Sequence, residues 1–131
     1  LCLPRETVKS LVDAFVKEAR VADRNHAWDD AASYWLGALE LRPDEPTFEE
    51  RAAHALRLAK QLKDIRRAAR LAESAVQRRP DDAVFRLTLA LVYLDAGLNL
   101  RARSELETAS KLAPNNPRVR ELLAQITKAS R

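Results

Sequence analysis

Few residues in this chain are of the kinds that do covalent chemistry, and their spacing argues against it. His26 and His54 lie far apart and fit no metal-ligand spacing such as His-Glu-x-x-His. Cys2 is the only cysteine, so neither an internal disulfide nor a Cys-based metal site can form, which points to a reducing, cytoplasmic compartment. The carboxylate pairs Asp29-Asp30, Glu49-Glu50 and Asp81-Asp82 fall at expected helix starts, where open amides and the helix dipole favour negative charge without any catalytic role. Two glycines in 131 residues make a phosphate-cradling loop hard to build, and no nucleophile motif is present. These residues imply no enzyme, no metal and no cofactor.

What remains is recognition by charge. Nine basic and two acidic residues lie between Arg51 and Arg79, in a chain whose net charge is +4, whereas the first fifty residues carry six basic against eleven acidic. Arg66, Arg67, Arg70, Arg78 and Arg79 form a basic strip that could hold phosphates or an acidic partner. No aromatic residue interleaves them for base stacking, so nucleic acid is the weaker reading and a solvated arginine face the plainer one.

The elements that must carry these residues are helices. Ala, Leu, Arg and Glu dominate, and such side chains lose little freedom in a helix. The longest apolar stretch, Leu87 to Leu94, is eight residues interrupted by Thr88, against roughly 20 for a bilayer crossing, so no membrane partner is expected. One pattern then recurs three times with the same internal spacing: Ala31, Trp35, Ala38 and Pro43; Ala68, Ala72, Ala75 and Pro80; Ala102, Leu106, Ala109 and Pro114. A small residue lets two helices approach, a larger one four positions on fills the gap between pairs, and the proline ends the helix. Ala72 in the large position implies a thinner core or a bulkier neighbour in the middle repeat.

Asp44-Glu45-Pro46, Asp81-Asp82-Ala83 and Asn115-Asn116-Pro117 follow the prolines and supply acceptors for the next helix start. Reading outward predicts seven helices over about 5–24, 28–41, 47–62, 64–78, 83–96, 99–112 and 117–129. In the middle repeat Phe48, Ala52, Ala55, Leu56, Ala59 and Leu62 keep helical spacing, so its three extra residues are expected as one more turn of the third helix.

The repeats resemble those of the tetratricopeptide family. Leu89, Ala90, Tyr93 and the Ala96-Gly97 turn stand where that family has its Leu-Gly, Tyr and glycine turn, although Arg86 replaces its tryptophan; Phe15, Ala19 and Ala22 hold the equivalent face of the first repeat, with Trp28 before Ala31. The resemblance implies an all-α, right-handed superhelical solenoid of antiparallel helix pairs. Residues 1–131 form one domain, with repeats at 12–45, 46–82 and 83–116 and an amphipathic cap at 117–129. It also implies a scaffold, a module of a larger protein, that holds a peptide or segment of a partner protein in a concave groove.

Carried over residue by residue, the family's groove positions are Asp13, Val16, Arg20 and Asp23, then Ala53, Arg57 and Lys60, then Val84, Leu87, Leu91 and Leu94. Arg20, Arg57 and Lys60 would complement an acidic ligand. The apolar stripe Val84, Leu87, Leu91 and Leu94 has three readings: a groove floor, a face covered within the molecule, or a self-association surface. The lysine and asparagine set with which some family members hold a chaperone's terminal carboxylate is missing, its places being taken by Val16, Arg20, His54, Leu87 and Leu91.

Overall fold

The computed structural model describes residues 2–129. It contains seven helices: α1 Arg5–Arg24, α2 Trp28–Leu41, α3 Pro46–Leu58, α4 Ile65–Arg78, α5 Ala83–Asp95, α6 Asn99–Leu112 and α7 Pro117–Ala129. Each packs chiefly on the next through a short turn, so α1/α2, α3/α4 and α5/α6 are antiparallel pairs stacked in order, with α7 closing the end.

The second helices of all three pairs stop in the same way. Arg42, Arg79 and Ala113, each just before a proline, take φ/ψ of −134°/77°, −134°/78° and −136°/75°. The proline ring bars helical geometry from its predecessor, and this repeated stop sets each pair's direction to the next. Pro46 and Pro117 then open α3 and α7, where a missing amide hydrogen costs nothing. Asp82 caps α5 by accepting from the Phe85 amide at 3.1 Å, and Asn116 caps α7 through the amides of Arg118 and Val119. Glu45, before α3, makes no such side-chain bond.

The recurring residues form the spine of the core. Ala31, Ala38, Ala68, Ala75, Ala102 and Ala109 are fully buried, as are Leu106 and, within a per cent, Trp35 and Ala72. Phe85 and Tyr93 of α5 are buried in the same core cluster as Ala72. Gly37 serves a similar close approach: a β-carbon there would lie 2.9 Å from the Phe15 ring.

First helices end differently in the three pairs. Gly97, with φ of +78°, closes α5 while Leu98 donates to Tyr93 and Gly97 to Leu94. His26 takes the same left-handed place after α1, at φ of 55°, with matching bonds from Ala27 to Ala22 and from His26 to Asp23. The extra residues of the middle repeat correct the expected helical turn. Helix α3 stops at Leu58, Ala59 is extended (φ −63°, ψ 154°), and residues 59–64 form a loop. Two carboxylates hold it: Asp64 caps α4 through the Arg67 amide, and Asp29 of α2 accepts from the amides of Gln61 and Leu62 at 3.0 and 2.8 Å. Helical periodicity through Ala59 and Leu62 reflected one buried residue and one exposed leucine, not a continuing helix.

Replacing Asp29 with alanine is therefore expected to cost about 1 kcal/mol in urea unfolding. It should also speed amide exchange at Gln61 and Leu62 well before the helices open. Unchanged exchange at those two amides would show that Asp29 does not hold the loop.

Candidate functional site

Helices α3 and α5 pack directly on each other, more closely than α4 does on α6. The stack therefore curves toward its first helices, and α1, α3 and α5 line the concave side.

A chain of polar contacts crosses this side. The Trp35 indole donates to Asp23 Oδ2 at 3.1 Å, and the same oxygen faces the Arg51 guanidinium at 3.6 Å. Arg51 binds Glu50 through two parallel bonds of 2.8 and 2.9 Å, and the Thr88 hydroxyl donates to Glu50 Oε2 at 3.1 Å. Glu50 and Thr88 are buried, so a carboxylate that would be costly there alone is held by a fork of guanidinium bonds plus a hydroxyl. Burial pulls the Arg51 pKa down, but bonding and charge attraction from Glu50 and Asp23 outweigh it and the net shift is upward. Three consecutive first helices are thereby joined through α1 Asp23, α3 Glu50 and Arg51, and α5 Thr88.

Beside this chain, Arg20, Asp23, Arg24, Trp35, Thr47 and Arg51 line an open cavity of about 250 Å³. The other end of the concave side is apolar. Val84 is 52% exposed, whereas Leu87, Leu91 and Leu94 are half-buried and packed against the core. Leu94 continues into a cleft of about 210 Å³ with Asn99, Leu122, Gln125, Ile126 and Ala129, so the stripe runs from α5 toward α7.

The positions singled out in the sequence sort into several environments. Asp13 and Arg20 are exposed on α1, Val16 is half-buried, and Asp23 joins the polar chain. Ala53 is fully buried and presents nothing to a ligand. Arg57 is bonded to Asp95 at 2.7 Å, bracing the ends of α3 and α5. Lys60 lies in the 59–64 loop beside His26, Trp28, Asp29 and Asp30, away from the helical face assigned to it, because α3 ends two residues earlier.

The basic strip divides in two. Arg78 pairs with the buried Glu49 at 3.0 Å, and Arg79 reaches Glu45 at 3.9 Å while its guanidinium lies 5.7 Å from the Phe85 ring centre. Arg66, Arg67 and Arg70 have no side-chain partner among the described residues and are exposed. Much of the sequence's charge asymmetry is thus consumed internally, the acidic first fifty residues binding arginines of the middle repeat. Glu49 and Glu50 exceed the helix-start role expected of them, since both are buried in cross-helix or in-helix ion pairs. Their sequence signal was a pair of acids set between Phe48 and Ala52 on a face that must bury. Arg86, where the family has tryptophan, donates to Glu105 at 2.9 Å and to the Pro80 carbonyl at 3.0 Å, so it braces α5 to α6 and to the preceding turn.

His54 is wedged edge-on against Trp28, with ring centres 5.1 Å apart, and Trp28 stacks on His26 at 5.4 Å. Burial, followed by the charges of Arg51 and Arg57, pushes its pKa down to about 4.

A tetratricopeptide-repeat family model matches residues 59–126, more than half of the chain. The chain belongs to the tetratricopeptide-repeat family. Its fold is the right-handed superhelical solenoid of that family. The tetratricopeptide domain of Arabidopsis OM64 superposes with a TM-score of 0.80 at 15% identity, covering 89% of this chain and 94% of that one. The first tetratricopeptide domain of Spaghetti (RPAP3), bound to the HSP90 peptide SRMEEVD, gives 0.81 at 17% identity over 92% and 93%. The Yersinia enterocolitica type III secretion chaperone SycD, in complex with a peptide of the translocator YopD, gives 0.76 at 17% identity over 98% of both chains. No curated protein sequence matches the chain.

The His54 environment predicts a pH dependence. Between its ordinary value of 6.5 and about 4, the unfolded chain takes up a proton that the folded chain refuses, so stability falls as pH falls through this window. Relative to His54→Gln, the wild type should lose on the order of 1–2 kcal/mol more between pH 7 and pH 4.5 in urea unfolding. Parallel pH profiles for the two proteins would show that His54 titrates freely in the fold.

Proposed function

We propose that the concave side binds an extended or helical segment of a partner protein, with its apolar residues on the α5 stripe and its acidic residues toward α1 and α3. The observation that carries this reading is the division of one continuous surface. Val84, Leu87, Leu91 and Leu94 lead into the α7 cleft at one end, and Arg20, Arg24 and Arg51 rim an open cavity at the other. A ligand could bury apolar side chains and pair carboxylates along a single track. Family membership supports an interaction module, as do the peptides held by the similarly folded RPAP3 and SycD structures. Arg57 and Lys60 contribute less to this reading than Arg20, Arg57 being bonded to Asp95 and Lys60 lying off the groove.

The ligand class differs from a chaperone tail. Val16 and Leu87 are apolar where terminal-carboxylate recognition needs polar donors, and His54 is neutral and packed on Trp28. The peptide SRMEEVD is expected to show no measurable affinity by isothermal titration.

A random peptide library displayed on phage tests the groove itself. Selected peptides should combine apolar and acidic residues, and their affinity should fall more than tenfold for Leu91→Glu and severalfold for Arg20→Glu, with helix content retained by circular dichroism. Because Leu91 is half-buried, Val84→Glu, at an exposed position of the same stripe, provides a second variant less able to disturb the fold. Selected peptides that bind both stripe variants as well as the wild type would sink the proposal.

A further inference from the structure

Two side-chain links place the turns between first and second helices along one edge of the stack. Asp29, after the first turn, accepts from amides of the 59–64 loop, and Arg57 at the end of α3 pairs with Asp95 at the end of α5. The loop following α3 and the turn following α5 therefore emerge side by side, about one helix spacing of 8–10 Å apart.

Turn tips ordinarily carry polar residues, Gly or Pro. Here Leu62 is 43% exposed, Leu98 42% and Leu100, just inside α6, 84%. Around them Lys60, Lys63, Arg66, Arg67 and Arg101 are exposed and have no acidic side-chain partner among the described residues. Of the carboxylates on this edge Asp95 is neutralised by Arg57, and Asp29, Asp30 and Asp64 keep their charge, three against the five cations, so the edge is positive on balance. Arg66 and Arg67 also sit in the first turn of α4, where the helix dipole disfavours positive charge.

A single exposed leucine needs no explanation, but three of them in adjacent turns, ringed by an excess of cations, suit a phase that is both apolar and anionic. We propose that this edge docks on an anionic lipid bilayer, the leucines entering the headgroup boundary and the cations meeting lipid phosphates and carboxylates. No helix among the described residues can cross a membrane, so the contact is peripheral. Nucleic acid would satisfy the charge yet leave the leucines in water.

Co-sedimentation of the 131-residue chain with vesicles tests this. Phosphatidylcholine vesicles with and without a third of phosphatidylserine would be used at low and physiological salt, with a 20-base-pair DNA duplex as competitor. Binding is expected to anionic vesicles only, to weaken at least tenfold in Arg66→Glu/Arg67→Glu, and to weaken severalfold in Leu98→Ser/Leu100→Ser. These positions are exposed, so helix content should hold. Absence of binding to anionic vesicles at low salt would overturn the proposal. Full retention of binding by the leucine variant would do the same, since the surface would then read charge alone. Displacement of the bound protein by the duplex would reassign the edge to nucleic acid.

Discussion

Everything in this molecule depends on how closely its helices can approach. The six fully buried alanines of the recurring pattern, two on each second helix, remove the side-chain bulk that would hold the pairs apart. Each alanine buries little area by itself, and its effect is to bring larger residues such as Trp35, Phe85 and Leu106 into contact across the layers. A fold made this way has no single centre. Its core is a line of local contacts, and each pair is stable only because the next one covers it.

That arrangement leaves charges little room to be incidental. Acids of α3 and its entry turn meet arginines at the end of α4, and the Glu50–Arg51 fork ties α3 to α1 and α5. Such pairs contribute less net stability than their number suggests, because each charge gives up hydration to be buried. Their larger effect is on register, since a carboxylate at Glu50 accepts only one placement of Thr88. Among the charges left over after this internal pairing, two groups border the surfaces discussed above: the rim near Arg20 and Arg24, and the edge around Lys63, Arg66 and Arg67.

The fold was legible in the sequence because its determinants are local. Small residues at fixed spacing, prolines that end helices and Asx residues that begin them identified seven helices, six of them within a residue of their ends. The middle repeat was misread for an instructive reason. Ala59 and Leu62 kept helical spacing, but the loop after Leu58 is bonded to Asp29, some thirty residues away, which no local pattern reports. The site was less legible on the same grounds. Whether Arg57, Arg78 or Arg79 is available to a ligand is decided by Asp95, Glu49 and Glu45 on neighbouring helices, and the burial of Ala53 by the packing of whole layers.

The three pre-proline stops, with backbone angles agreeing to a few degrees, separate what can vary in this solenoid from what cannot. On the proline side of the stack the ring restricts the residue before it in the same way each time, so the step from one pair to the next starts from one backbone geometry. On the opposite side the connections are free to differ, and they do: a histidine turn, a six-residue loop and a glycine turn occupy equivalent places. Insertions and new surface chemistry can accumulate along that second edge without altering the curvature of the groove, which allows the two surfaces to evolve separately.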